Sequence, residues 1–338
     1  MGYKVAVVGV TGAVGQQMLN ILFERKFPVS SLVPLSSARS AGKSITFGDK
    51  KIEAQLLGPN SFEGVQIALF SAGKSVSQEF VPIATKASAW VVDNTSAFRM
   101  NPQVPLVVPE VNAERITQAT RRIIANPNCT TIQMVVALNP IRKAAGIKRI
   151  VVATYQAVAG AGRRAISELE TQMIAWSAKN PVPLPQVFPH QILFECLPQI
   201  GQFDENGDSE EEQKMVHETR KIFDLPNLRI TATTVRVPVL AGHSEAVNIE
   251  TEQPFTVEQA RAELAKAPGV QLVDNPREGL YPLAQMAQGT DPVYVGRIRK
   301  DLSVENGLNM WVVADNLRKG AALNAVQIAE ILVSKGIN

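Results

Sequence analysis

Apolar residues along the chain fall into two textures, and the change comes near residue 130. At the start, Lys4-Val-Ala-Val-Val8 is a short β-branched run without alternation, the pattern of a parallel strand covered on both faces. Gly9-Val-Thr-Gly12-Ala-Val-Gly15 follows, and then Met18, Leu19, Leu22 and Phe23 recur at the spacing of one helix face. Further strand-like runs at 31–35, 67–71, 90–93, 106–108 and 123–125 are separated by helical or turn-rich stretches such as 77–87. This alternation predicts an α/β unit with a Rossmann-like, doubly wound parallel sheet.

Beyond residue 130 the strand patterns at 148–157, 229–240 and 246–251 are longer and alternate, with further runs at 293–300 and 308–314. They predict a second, α+β domain carrying a mixed or antiparallel sheet. Helical segments at 164–179 and 208–223 interrupt it, and Asn180-Pro-Val-Pro-Leu-Pro-Gln186 between them cannot be helix interior, so it reads as an exposed loop or arm. Residues 319–335 place Ala322, Val326, Ile328, Ala329 and Leu332 on a last helix that returns to the first domain. The expected division is therefore 1–128 with 317–338, and 129–316.

Composition narrows the classes. The chain has 338 residues, 45% hydrophobic and 19% charged, which is ordinary for a globular protein of about two domains. A formal net charge of +3 gives no electrostatic footprint for nucleic acid. Two cysteines and three histidines are too few for a disulfide framework or a structural zinc site, so no metal is expected. No run approaches the ~18 apolar residues of a membrane helix. Glycines at 9, 12 and 15 break the N-terminal apolar run, which argues against a signal peptide, and Ala6 argues against myristoylation. A cytoplasmic protein is the expectation.

Candidate chemistry lies at two places. The spacing G-x-x-G-x-x-G departs from the usual dinucleotide fingerprint, but it follows the first strand and opens a helix, where backbone N–H groups can receive a pyrophosphate. After the second strand the chain reads Leu35-Ser-Ser-Ala-Arg39-Ser-Ala-Gly-Lys43. It has no acid to repel a 2′-phosphate, while Ser37, Arg39 and Lys43 can donate to one, so NADP(H) is favoured over NAD(H). The second place is Asn126-Pro-Asn-Cys129-Thr-Thr, which opens an apolar helix. A thiol in a first helical turn feels the positive end of the macrodipole, which favours thiolate and offers N–H donors to an oxyanion. Cys196, in Phe194-Glu-Cys-Leu-Pro, has no such context and reads as structural.

Those two motifs occur with Asn94-Thr-Ser-Ala-Phe-Arg99, Gly160-Ala-Gly162, Arg236-Val-Pro-Val-x-x-Gly-His243-Ser-Glu and Asp315-Asn-x-Arg-Lys-Gly-Ala-Ala-x-Asn324. Together they closely resemble the aspartate-β-semialdehyde dehydrogenase family, from residue 4 to about 334. The resemblance implies that Cys129 is the nucleophile, forming a thioester from β-aspartyl phosphate that NADPH reduces. It implies His243 as general acid–base and Gln156 as the residue that positions substrate near the thiol. It makes Arg236 the partner of the substrate carboxylate, which suits a guanidinium placed opposite Val235 and Val237 in strand alternation. It gives Arg99 and Asn128 to the phosphate, Glu211 to the ammonium and Lys214 to the phosphate. Taken alone, Glu210-Glu-Glu-Gln-Lys214 is a solvated helix start, and its three glutamates leave the register open by one. Gly9, Thr11, Gly12, Ala13, Val14, Gly15, Ser37, Arg39, Ser71, Gly73, Gly160, Gly162 and Asn316 are the implied cofactor contacts. Arg236 and His243 are expected to face an open cleft.

The implied pathway is lysine, methionine and threonine biosynthesis. The nearest enzymatic alternative, N-acetyl-γ-glutamyl-phosphate reductase, should carry Asn-Pro-Gly-Cys-Tyr where this chain has Asn126-Pro-Asn-Cys-Thr. A silent paralogue should have lost the thiol, which is retained. The resemblance implies a homodimer or a dimer of dimers, and Ile166, Leu169, Met173 and Trp176 at helical spacing are the expected contact stripe.

Overall fold

The computed structural model describes residues 2–336 and divides into two compact units, Met1–Asn128 with Ala321–Asn338, and Cys129–Gly320. In the first unit the strands are β1 (Tyr3–Val8), β2 (Val29–Ser36), β3 (Ser44–Phe47), β4 (Lys50–Glu53), β5 (Gln55–Leu56), β6 (Ile67–Phe70), β7 (Trp90–Asp93) and β8 (Ile123–Ala125). Six of them form a parallel sheet in the order β5-β2-β1-β6-β7-β8, and the order reverses beside β1. Val5 to Val8 are wholly buried, which is why the run lacks alternation. Helices α1 (Ala13–Glu24), α2 (Lys74–Lys86) and the short α3 (Pro109–Asn112) follow β1, β6 and β7.

Two local departures have clear causes. Residues 106–108 form no strand beyond a single bridge from Leu106 to Ala125. Pro105 and Pro109 flank the run, and the Asn112 side chain takes the Val108 N–H and the Leu106 carbonyl instead. The hairpin β3–β4, turning at Gly48-Asp49, carries a Gly-Asp turn signal that the hydrophobic pattern alone does not reveal.

The second unit begins with α4 (Cys129–Ala145) and continues through β9 (Arg149–Gln156), α5 (Arg163–Ser177), α6 (Glu210–Phe223), β10 (Arg229–Arg236), β11 (His243–Glu250), α7 (Val257–Lys266), β12 (Val270–Leu272), α8 (Ala284–Ala287), β13 (Val293–Asp301) and β14 (Gly307–Ala314). Its sheet runs β10-β9-β11-β14-β13-β12, with parallel pairs at both ends and antiparallel pairs between. The mixed sheet matches the alternation in the sequence. β10 stops at Arg236, short of residue 240, because Pro238 cannot continue the ladder. α4 packs against α6, α7 and the strands β11, β13 and β14. On that face β9 presents Ile150, Val152, Thr154 and Gln156, and β11 presents His243, Glu245, Val247 and Ile249.

The final helix, α9 (Leu323–Ser334), follows a π-helical turn at Arg318–Ala322 and packs on α1 in the first unit. Arg25 and Glu330 join the two helices through paired contacts of 2.7 and 2.8 Å. The stripe on α5 is used differently from the expectation. Leu169 is buried in a cluster with Val158, Ala165 and Ile192, and Ile166 and Met173 pack against that cluster. Trp176 alone of the four stands out, 56% exposed and edge-on to Phe194 at 5.0 Å.

Candidate active site

The first unit supplies a cradle of a shape only glycine allows. Gly9 has φ +88°, and a Cβ there would lie 2.5 Å from the Ser71 carbonyl oxygen. A Cβ on Gly15 would lie 2.2 Å from the Gly9 oxygen, so the start of α1 closes directly on the end of β1. Gly12 caps α1 without a side-chain hydrogen bond, and Gly12 N–H turns back to the Gly9 carbonyl. The first-turn N–H groups of Ala13, Val14 and Gly15 have no intrahelical acceptor by helix geometry. Thr11 lies in this turn, and Ser71 and Gly73 follow β6 at the point where strand order reverses. Gly73, at φ +100°, has nothing within 4 Å of its Cβ direction. Ser37, Arg39 and Lys43 are exposed or half-exposed on the loop after β2, with no carboxylate in that loop. These backbone and basic donors fit a dinucleotide carrying an extra phosphate.

The loop into the cysteine is held by three asparagines. Asn126 Nδ2 donates to Asn94 Oδ1 at 2.6 Å, and Asn324 Nδ2 donates to Asn126 Oδ1 at 2.7 Å. Arg99 is buried; its Nε and Nη2 donate to the carbonyls of Asn126 and Asn94, each at 2.9 Å. Arg99 therefore braces the loop that ends in buried Asn128. Cys129 opens α4 half-buried, with no acidic residue in the first turn. A Cβ on Gly320 would lie 2.9 Å from Cys129 Cβ, so the π-helical turn presses glycine backbone against the thiol's own carbon.

Strand register in the second unit brings together residues far apart in sequence. Arg236 pairs with Gln156 across β10 and β9, and His243, first residue of β11, accepts from Ala157 N–H at Nδ1 at 3.0 Å. That bond leaves the proton of the neutral ring on Nε2, which is buried and has no hydrogen-bond partner. Arg236 Nη1 donates to the Ala157 carbonyl at 2.8 Å. A Cβ on Gly160 would lie 2.9 Å from Arg236 Nη1 and 3.1 Å from His243 Nε2, so Gly160 faces these two side chains. Gly162, at φ +91°, begins α5. Asn316 Oδ1 accepts from Gly242 N–H at 3.0 Å, fixing the residue before His243.

Burial pushes the Arg236 guanidinium below its ordinary range, while the charges of Glu211 and Cys129 pull it back. Burial, and then Arg236, push His243 well below the usual imidazole range, partly opposed by the Gly242 backbone. His243 is therefore neutral at pH 7. The glutamate run sorts itself: Glu210 is exposed, Glu212 completes the capping box with Ser209, and buried Glu211 acts on Arg236 and meets Lys214 at 3.3 Å. Gln156 is buried and donates to Thr154 Oγ1 at 3.2 Å.

One expectation is corrected: Arg236 and His243 are 5% and 0% exposed, so they are recessed within the second unit and do not stand along an open cleft. Cys196 is exposed. Sequence reasoning missed Gln133, one turn beyond Cys129, whose Nε2 donates to the His243 carbonyl at 3.3 Å. It also missed wholly buried Glu245. Their signal was helical spacing from the cysteine and strand spacing from the histidine. Among the described residues no group of three His, Cys, Asp or Glu stands ready for a metal, and no helix is long and apolar enough to cross a membrane.

A glycine cradle suited to a dinucleotide in one unit and a helix-opening thiol in the other are features of the nicotinamide-dependent aldehyde dehydrogenases. The semialdehyde dehydrogenase NAD binding domain matches residues 4–119, and the semialdehyde dehydrogenase dimerisation domain matches residues 138–319. An aspartate-semialdehyde dehydrogenase from Aquifex aeolicus is 56% identical, over 100% of both chains. The crystal structure of aspartate semialdehyde dehydrogenase II from Vibrio cholerae complexed with ASA has TM-score 0.96 and 49% identity over 99% of each chain. That of the Candida albicans enzyme with NADP has TM-score 0.78 and 25% identity over 100% of both. The chain belongs to the aspartate-semialdehyde dehydrogenase family, whose members are NAD(P)-dependent oxidoreductases.

Proposed function

We propose that the protein reduces L-4-aspartyl phosphate to L-aspartate 4-semialdehyde with release of phosphate, through a thioester on Cys129, in lysine, methionine and threonine biosynthesis. The observation that carries the reading is the convergence in one unit of a helix-opening thiol with Arg236, Gln156 and a neutral His243. Cys129 sulfur attacks the acyl carbon, the C–O bond to phosphate breaks, and phosphate leaves. NADPH, when bound, supplies hydride to the thioester carbon. His243 Nε2–H donates a hydrogen bond to the oxyanion that forms as hydride arrives, and that oxyanion re-forms the carbonyl as the C–S bond breaks, giving aldehyde and thiolate. Nδ1, held by Ala157 N–H, fixes which nitrogen donates.

Arg236 binds the substrate carboxylate with two N–H groups, and Glu211 the ammonium. Lys214, Arg99 and Asn128 serve the phosphate, Arg99 chiefly through the loop it braces. Gln156 holds the acyl oxygen near the thiol. Gly9, Thr11, Gly12, Ala13, Val14, Gly15, Ser71 and Gly73 hold the pyrophosphate side of NADP, and Ser37 and Arg39 its 2′-phosphate. Gly160, Gly162 and Asn316 shape the backbone beside His243, with Gly160 leaving room for the reacting groups. We infer a homodimer or dimer of dimers, which the exposed Trp176–Phe194 pair and Ile174 support. The cytoplasm, where the thiols of Cys129 and Cys196 stay reduced, is the inferred compartment.

Phosphate-dependent reduction of NADP+ by aspartate semialdehyde, run beside N-acetylglutamate semialdehyde, tests the reading. Strong preference for the former is expected, and equal turnover of both overturns it. In the same assay Arg236→Leu should raise KM steeply, whereas His243→Asn should lower kcat by about 10² to 10⁴ with little change in KM.

A further inference from the structure

Strand β14 ends beside the histidine, since its last residue, Ala314, is the register partner of His243 on β11. The next residue, Asp315, is buried and gathers backbone from two directions. Its Oδ1 accepts the N–H groups of Leu317 and Arg318 at 2.7 and 3.1 Å, and its Oδ2 accepts that of Gly289, just beyond α8, at 2.7 Å. The Asp315 carbonyl accepts the Gly320 N–H at 3.0 Å and so closes the turn 315–320 from within. Arg318 ties the same turn from outside, with Nε and Nη2 each 2.7 Å from Asp291 Oδ1.

One end of this turn meets the thiol. A Cβ on Gly320 would lie 2.9 Å from Cys129 Cβ and 3.5 Å from the Asp315 carbonyl oxygen, so the turn has no slack between Asp315 and the head of α4. A second line leads to the imidazole. Asn316, next in the chain, accepts the Gly242 N–H at 3.0 Å, and a Cβ on Gly242, at φ +87°, would lie 2.8 Å from the carbonyl oxygen of Ala284, the first residue of α8. Gly242, which has no side chain to anchor it, is therefore held between the two segments that Asp315 joins, and His243 follows it directly. All of these residues belong to the second unit.

We propose that Asp315 is a positioning residue for the reaction: by tying the turn that abuts Cys129 to the α8 segment that backs Gly242, it sets the place of the His243 imidazole relative to the thiol. The thiol and the imidazole come from different elements, α4 and β11, and a reacting group misplaced by about 1 Å costs on the order of 10²-fold in rate. The bonds of Asp315 run to the turn and to the α8 segment, not to β10 or α6, which carry Arg236 and Glu211. Its loss should therefore reach the chemical step and leave substrate binding nearly intact. Asparagine is no substitute, because with its oxygen toward Leu317 and Arg318 its amide nitrogen, a donor, faces the Gly289 N–H.

The proposal rests on the roles given to Cys129 and His243, so wild type and variants are compared in one assay, NADP+ reduction with aspartate semialdehyde and phosphate. Asp315→Asn should lower kcat about tenfold and Asp315→Ala about a hundredfold, with KM for aspartate semialdehyde within about twofold of the wild type. Iodoacetamide labelling of Cys129 should keep its rate, because labelling needs the thiol alone and turnover needs thiol and imidazole together. Amide hydrogen exchange should quicken at Gly289, whose own bond is lost, and also at Gly242, which Asp315 does not touch. A folded variant with lowered Tm and wild-type kcat would make Asp315 structural only and overturn the proposal. So would a KM that rises as kcat falls, a labelling rate that falls with kcat, or unchanged exchange at Gly242. If Asp315→Ala does not fold, the nearly isosteric Asp315→Asn decides. A wild type that does not turn over aspartate semialdehyde sinks the reading of the site and this proposal with it, whereas turnover by the wild type that Asp315→Asn matches sinks this proposal alone.

Discussion

The two cysteines differ in a way that access alone would invert. Cys196 is exposed and Cys129 only half-buried, so a reagent limited by contact would reach Cys196 first. Cys129, however, is the first residue of a long helix and lies near the Arg236 charge, and alkylation follows thiolate more than accessible area. At neutral pH iodoacetamide is expected to label Cys129 ahead of Cys196. Mass spectrometry of partially labelled protein measures the order. Preferential labelling of Cys196 at neutral pH would remove the case for Cys129 as nucleophile. The candidate thiol was legible in sequence because its signal is local, a cysteine after Asn-Pro-Asn at the head of an apolar run. Arg236, Gln156 and His243 were legible only through resemblance. What joins them is the pairing of β9 with β10 and the Nδ1 bond to Ala157, and pairing across strands leaves no mark in the spacing of a single segment.

Among the elements, those buried on both faces or along one stripe were the clearest. β1 and β7 are short and built on unbroken apolar runs, Val5 to Val8 and Trp90 to Val92, and α1 shows its buried Met18, Leu19 and Leu22 directly. α7 escaped notice because a capping box, Thr256 with Gln259, and only two buried side chains define it. The run at 106–108 misled because its hydrophobicity serves core packing while prolines deny it a ladder. The loop after β2 lends itself to a test at this scale. Arg39 and Lys43 stand on a segment whose backbone is tied by Gly42 N–H to the Ala54 carbonyl at 2.7 Å, so its shape does not depend on either side chain. Arg39→Ala should therefore weaken NADP+ binding by about 1.5–3 kcal/mol, the value of a lost charge-assisted bond, and leave NAD+ nearly unchanged. Fluorescence titration with both dinucleotides measures this, and equal weakening of the two would show that Arg39 does not read the 2′-phosphate.

For the molecule as a whole, the buried titratable pair on β11 ties the mechanism to stability. His243 is neutral in the folded protein at pH values where an unfolded imidazole, near 6.5, takes up a proton, so its contribution is lost as pH falls below that value. Glu245 has the opposite sign. Its folded carboxyl keeps a proton well above 4.5, where the unfolded chain releases it, so stability from this group is complete at low pH and declines as pH rises from 4.5 toward the folded value. Between 4.5 and 6.5 the two trends oppose one another, and above 6.5 that of Glu245 is left without its counterweight. Glu245→Gln removes the titration and keeps a neutral donor in the same place. The difference in Tm between Glu245→Gln and the wild type should therefore grow in favour of the variant as pH is raised from 5 to 8, by no more than the linkage of one proton allows. Differential scanning calorimetry across that range gives the slope directly. A difference that stays flat would mean that Glu245 releases its proton at the same pH folded and unfolded, against the effect of shutting a carboxyl wholly away from water.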